Sequence, residues 1–137
     1  MYRDTYCFFG NNERDVMNNL ALMACRKLFF LDVVEAAQHI GNVSPRTWRY
    51  YEAGRSKIPD AIASKMEGLL QRRITLKEEM RQDALRFKAK GEGRQAIPYY
   101  VTYKQYTEET GLTDYLEWRL DQSVKSILYV EGLVVFY

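Results

Sequence analysis

The sequence has one histidine, His39, and only two cysteines, Cys7 and Cys25. So few imidazoles and thiols fit neither a disulfide framework nor a zinc site; two free thiols are expected, with Cys25 packed inside. Long apolar runs are missing too, none approaching the ~20 residues that cross a bilayer. The first ten residues, MYRDTYCFFG, hold only a three-residue apolar patch and carry Asp4, which does not read as a signal peptide. A cytoplasmic location with no membrane partner is therefore expected. Also absent are a glycine-rich phosphate loop, metal-ligand spacing and a nucleophile beside a base. A Ser/His/Asp arrangement would rest on His39 alone, which reads as a surface residue of a helix. No catalytic residue, metal or cofactor is expected, and the chain does not read as an enzyme.

What is present suffices for a core. At 137 residues and 47 % hydrophobic content, the chain is long enough for one domain or two small ones without covalent staples. Eleven tyrosines and six phenylalanines favour buried or self-associating surface over a disordered tail. A net charge of +2 does not by itself argue for a polyanionic partner, but the charge is unevenly spread. Residues 44–57 carry +3, from four cations and one acid, and residues 71–90 carry +4, from seven cations and three acids. Residues 105–131 carry −4, from six acids and two cations.

The most informative stretch is SPRTWRYYEAGRSK, residues 44–57. Ser44 followed by Pro45 reads as a helix N-cap and a first helical residue. Gly54 reads as the left-handed residue that ends the helix. Trp48 and Tyr51, three apart, share a face that can enter a core. Arg46, Arg49 and Tyr50 lie on or towards the other side, with Thr47 near the start and Arg55 and Lys57 just past the end. A short capped helix with an apolar back and a basic front suits insertion into a DNA major groove.

Residues 1–16 read as an N-terminal extension with no essential role, in which Asn11 and Asn12 could cap a short helix. A first helix is expected from about Asn19 to Phe29, with Leu20, Met23, Leu28 and Phe29 inward and Arg26 and Lys27 solvated. Asp32 and Glu35 form a capping-box pattern for a second helix, Val33–Ile40, with Ala36, Ala37 and Ile40 facing in. The small alanines permit the close crossing of a helix-turn-helix. Gly41 ends this helix and Asn42-Val43 form the turn into Ser44. A long helix from Pro59 to about Lys90 follows, its first half closing the core and its basic second half forming an arm. Gly91-Glu92-Gly93 and Pro98 mark a boundary, giving a helix-turn-helix domain with connecting helix at 17–90 and a second module at 91–137. In that module Tyr99–Tyr103 is expected as a strand and Lys104–Thr110 as a turn or two of helix. Thr113-Asp114 should cap a helix to about Val130 bearing Leu116, Leu120, Val124, Ile127 and Leu128 on one stripe, with Leu133–Phe136 as a second strand. Two strands cannot stand alone, so they should pair with each other or across a dimer.

Residues 17–137 resemble the YdiL-like helix-turn-helix regulators, a group that includes anti-CRISPR-associated autorepressors. The resemblance rests on RKLFFLDVVEAAQHIG (26–41), VSPRTWRYYEAGRSKIPD (43–60) and EWRLDQSVKSILYVEG (117–132). It begins at Met17, in keeping with an extension over 1–16. It implies a mainly α fold: an N-terminal Cro/repressor-like helix-turn-helix domain, a long connecting helix and a small C-terminal α/β dimerisation module of one main helix and two short strands. It also implies a dimeric repressor on an inverted-repeat operator, which for the anti-CRISPR-associated members lies ahead of their own operon. Against the broader Cro/repressor-like class, the Gly41–Glu52 interval is one residue longer, which predicts a wider turn before the recognition helix. Val33 stands where that class often has a phosphate-contacting glutamine, so base contacts are not carried over from distant relatives.

Arg46 is the first candidate for base reading, because arginine is the commonest bidentate partner of guanine O6/N7; Arg49 or Tyr50 comes second. Ser44, Pro45, Thr47, Arg55 and Lys57 complete the expected DNA-binding set, the hydroxyls and cations placed for phosphate. Trp48 and Tyr51 are expected in the core, and Glu52 as a tether to neighbouring backbone or Arg55. Tyr115, Leu116, Leu120, Val124, Ile127 and Leu128 are the expected homodimer interface. Two other readings stay open. Arg72, Arg73, Arg81 and Arg86 with the tyrosines at 99, 100 and 103 leave room for RNA binding, and the acidic C-terminal segment suits an antitoxin-type adaptor.

Overall fold

The computed structural model describes residues 17–137. Cys7, Asn11, Asn12 and the expected extension lie outside the described residues. The chain is mainly helical: α1 (Asn19–Leu28), α2 (Val33–Ala36) running into a π-helical turn (Ala37–Gly41), α3 (Pro45–Glu52), α4 (Asp60–Ala89), β1 (Gln95–Ile97), α5 (Tyr103–Thr110), α6 (Tyr115–Val130) and β2 (Val134–Phe136). Its contacts divide it into two units, one ending at Leu70 and the other running from Gln71 to Tyr137, so the division falls inside α4.

In the first unit, local chemistry sets the helix starts. Asn18 caps α1 through the Ala21 amide. Asp32 and Glu35 form the expected reciprocal box: the Glu35 amide donates to Asp32 Oδ1 and the Asp32 amide to Glu35 Oε1. Each such cap is worth about 1 kcal/mol. The core is built from Leu22 and Cys25 of α1 with Phe29 just past its end, Ala36, Ala37 and Ile40 of the second helix, Trp48 and Tyr51 of α3, and Ile62 and Met66 at the start of α4. The thiol of Cys25 is buried, which pushes its pKa up.

Helix α1 is rotated from the sequence-based expectation. Leu20 is 66 % exposed and Leu28 40 % exposed, while Arg26, expected in solvent, is buried. The reason is the partner waiting for Arg26 on α3, described below. The last turn of the second helix winds as π rather than α, so the backbone leaves the α path before the turn at Asn42. The Val43 amide donates back to the Ala37 carbonyl (3.0 Å), and Asn42 takes the left-handed conformation at φ +51°. Lys65 Nζ donates to the His39 carbonyl (3.0 Å), satisfying one oxygen at this loosened end.

In the second unit, β1 and β2 pair in parallel, Gln95 opposite Val134 and Ile97 opposite Phe136. A parallel pair needs a crossover, and α5 and α6 supply it. The strand expected at Tyr99–Tyr103 is instead at Gln95–Ile97. In residues 98–102, α6 side chains take two of the carbonyls, those of Pro98 and Tyr100, in place of a strand partner. Trp118 Nε1 (2.9 Å) and Gln122 Nε2 (3.0 Å) both donate to Tyr100 O, and Lys125 Nζ donates to Pro98 O (2.6 Å). Thr102 then caps α5, accepting from the Gln105 amide. Asp114 caps α6 as expected. Leu120, Val124 and Leu128 of α6 form the core of this unit with Trp118, Tyr106 and Val134.

Candidate nucleic-acid interface

Helix α3 is held by both ends and by its inner face. At its start the Ser44 hydroxyl accepts from the Thr47 amide (3.1 Å) and donates to Thr47 Oγ1 (3.0 Å), with Pro45 as the first helical residue. At its end Gly54 turns left-handed at φ +75°, and the Arg55 amide returns to the Tyr50 carbonyl (2.9 Å). On the inner face Trp48 is fully buried and Tyr51 meets it edge-to-face. Gly41 packs so closely on Trp48 that a Cβ would lie 3.1 Å from the indole ring.

The strongest anchor is Glu52. Its carboxylate accepts from Arg26 through two parallel bonds, Nε–Oε2 at 2.6 Å and Nη2–Oε1 at 3.0 Å, and from Trp48 Nε1 at 2.6 Å. Arg26 Nη1 also donates to Leu31 O (3.0 Å), and Asn19 donates to the Glu52 carbonyl (3.1 Å). Three donors on one buried carboxylate satisfy it in low dielectric, where a planar guanidinium fork is the best-matched counter-charge. Glu52 is the expected tether, but its partners are Arg26 and Trp48 rather than Arg55. Arg26 and Asn19 are the residues that sequence reasoning missed; the signal available was the i, i+4 spacing of Trp48 and Glu52, which places an acid beside a buried indole.

The outer face carries the expected cations in the open. Arg46, Arg49, Arg55 and Lys57 are exposed, as is Ser44, while Pro45, Thr47 and Tyr50 are half-buried. Three of them meet. Arg46 Nε donates to Tyr50 Oη (2.8 Å), and the Arg55 guanidinium lies 4.7 Å from the Tyr50 ring centre. Among the described residues no acid lies within ion-pair distance of Arg46, Arg49, Arg55 or Lys57, and these cations give the face its positive charge.

The arginines of the α4 arm contrast with these. Arg72 pairs with Glu117 (2.6 Å), Arg81 with Glu131 (2.7 Å) and Arg86 with Asp83, while Arg73 donates to Ser123 Oγ (3.0 Å). The Glu117 carboxylate holds the Arg72 pKa up, and burial lowers that of Arg73. Of the residues expected at a dimer interface, Leu120, Val124 and Leu128 are buried within the chain itself; Tyr115, Leu116 and Ile127 are half-buried. Tyr115 meets Tyr103 at a tilt and Trp118 edge-to-face. Among the described residues no three metal-ligating side chains cluster, and no helix is long and apolar enough to cross a membrane.

The family model described as Aca2/YdiL-like matches residues 17–136. A relative named Aca2 repressor, from Pectobacterium phage ZF40, is 41 % identical over 116 residues, spanning 85 % of this chain and 96 % of that protein. The chain thus belongs to the Aca2/YdiL-like family.

Proposed function

We propose that this chain is a transcriptional repressor that binds DNA sequence-specifically as a homodimer on an inverted-repeat operator ahead of its own operon, one that includes an anti-CRISPR gene. The observation that carries the reading is the outer face of α3: a short helix, fixed by a buried Glu52–Arg26–Trp48 network, whose exposed cations pair with no acid among the described residues. A rigid scaffold under a free basic face is what major-groove reading requires. The name of the phage relative supports repression as the outcome. In this reading Arg46 takes guanine O6/N7, Arg49 a neighbouring base edge, and Ser44, Thr47, Arg55 and Lys57 phosphate, with Pro45 holding the helix entry. Two half-sites place the two α3 helices about 34 Å apart.

The homodimer draws on α6. With Leu120, Val124 and Leu128 occupied in the core, the apolar surface left for a second copy comprises Tyr115, Leu116 and Ile127 together with Tyr129 and Val130, which are 50 % and 75 % exposed. Repression then follows from occupying a promoter in the cytoplasm, without chemistry or cofactor.

The test is a mobility-shift titration against the DNA just upstream of the chain's own gene, with scrambled duplex as competitor and salt varied. Specific retardation with dimer stoichiometry is expected. Binding no tighter than to scrambled duplex would overturn the autorepressor and bring RNA or a partner protein forward as the target.

A further inference from the structure

Tyr50 lies between two arginines that the proposed function gives different tasks. Its hydroxyl accepts from Arg46 Nε at 2.8 Å, and its ring lies 4.7 Å from the Arg55 guanidinium. The turn at Gly54 makes the second contact possible, since it brings the Arg55 amide back to the carbonyl of Tyr50 itself. Tyr50 is half-buried and its backbone belongs to the anchored helix, so its ring is a fixed post between two long, exposed side chains.

We propose that Tyr50 is a positioning residue: it holds Arg46 and Arg55 in their DNA-binding arrangement before DNA arrives, and does not itself read a base. The inference rests on the DNA-binding reading above and adds the source of its specificity. The chemistry of the Arg46 contact supports it. An arginine has five N–H donors, and the bond to Tyr50 uses only Nε. The two terminal nitrogens remain, and their fork matches the paired acceptors O6 and N7 of guanine. Fixing the stem through Nε therefore aims the reading end without occupying it. A free arginine must surrender rotamer freedom on binding; one already fixed surrenders less, and the gain appears as affinity for the one base pair it faces. For Arg55 the ring supplies a cation–π contact that leaves the outer guanidinium edge open to phosphate.

The experiment separates this from a direct contact. An operator is selected from a random duplex library with the unmodified protein, and each base pair is then varied against four proteins: wild type, Tyr50→Phe, Arg46→Ala and the double variant. Tyr50→Phe keeps the ring and removes the hydroxyl. The expected result is a roughly three- to tenfold loss confined to the base pair that Arg46→Ala also relaxes, an unchanged salt slope, and a double variant no weaker than Arg46→Ala alone. Nitrogen-15 spectra of the free protein should show the Arg46 Nε proton protected in the wild type and lost in Tyr50→Phe. A double variant whose losses add in full would mean that the hydroxyl touches DNA by itself, and would overturn the proposal while leaving the repressor intact. A Tyr50→Phe protein with wild-type affinity, or an Arg46 signal that does not change, would overturn it equally. Failure of the unmodified protein to select any duplex would bring down the DNA-binding reading, and this one with it.

Discussion

Arg26 and Glu52, twenty-six positions apart, close a two-pronged ion pair across α1 and α3, and the indole of Trp48 completes the carboxylate's shell. A buried pair of this kind is not in itself a large source of stability, but removing one partner strands the other charge in low dielectric. Arg26→Met should therefore destabilise the protein by about 3–5 kcal/mol in urea denaturation. Combining it with Glu52→Gln should cost less than Arg26→Met alone, because the glutamine carries no charge and its carbonyl can still accept from Trp48. Equal losses in the single and the double variant would show that the charge coupling contributes nothing.

Arg46 and Arg55 should separate cleanly in DNA binding. Arg46→Ala should cost ~1–3 kcal/mol and relax preference at one operator position, whereas Arg55→Ala should weaken every duplex alike and lower the salt slope by about one. Titrations at several salt concentrations against single-base-pair variants read both. An Arg46→Ala protein that loses all duplexes equally would make Arg46 a phosphate contact.

Sedimentation distinguishes core from contact surface on α6. Tyr129→Asp with Val130→Asp, at exposed positions, should give a folded monomer with weakened operator binding. Leu120→Asp should unfold the second unit, because Leu120 is 1 % exposed and an unpaired charge there has no counterpart. A Tyr129→Asp/Val130→Asp protein that still sediments as a dimer would place the interface elsewhere.

Tyr106 gives the second unit an alkaline limit. Burial first, and then the nearby carboxylates of Glu117, Asp121 and Asp114, push its pKa up to about 12 from an ordinary value near 10. A phenol whose folded pKa is raised contributes stability that is full below its unfolded pKa and lost as pH rises through the folded one. Stability should thus fall between about pH 10 and pH 12. The Tyr106→Phe protein should show a shallower fall over that window in denaturant titrations. Identical slopes in the two proteins would mean that another group governs it.

Features that depend on near neighbours were legible in the sequence. Ser44-Pro45, the Asp32/Glu35 box and Asp114 mark helix starts through bonds within three residues, and all three occur as read. The same holds for Trp48 and Tyr51, whose spacing alone sends them inward. What escaped was decided at long range. Arg26 looked solvated because a lone arginine on a polar helix face usually is; only Glu52 on another helix reverses that, and the reversal turns Leu20 and Leu28 outward. Tyr99–Tyr103 has strand composition, yet the Tyr100 carbonyl was claimed by Trp118 and Gln122, and the neighbouring Pro98 carbonyl by Lys125, from eighteen or more residues away. A nearer signal was overlooked: Thr102 and Gln105 have the spacing of a helix cap, which argues against a strand through Tyr103.

The π turn at Ala37–Gly41 has a consequence for re-engineering. Because the change of winding begins inside the second helix, the orientation of α3 is set as far back as Ala37, through the Val43-to-Ala37 bond and the close seat of Gly41 on Trp48. On the DNA-binding reading proposed above, recognition specificity is therefore not portable as the eight residues of α3 alone. A graft of Ser44–Glu52 onto an ordinary two-helix frame would inherit that frame's α-wound turn and, on the same reading, point the same side chains at different base pairs. The transplantable cassette starts at Ala37, and it must bring Arg26 and Lys65 or their equivalents to receive it.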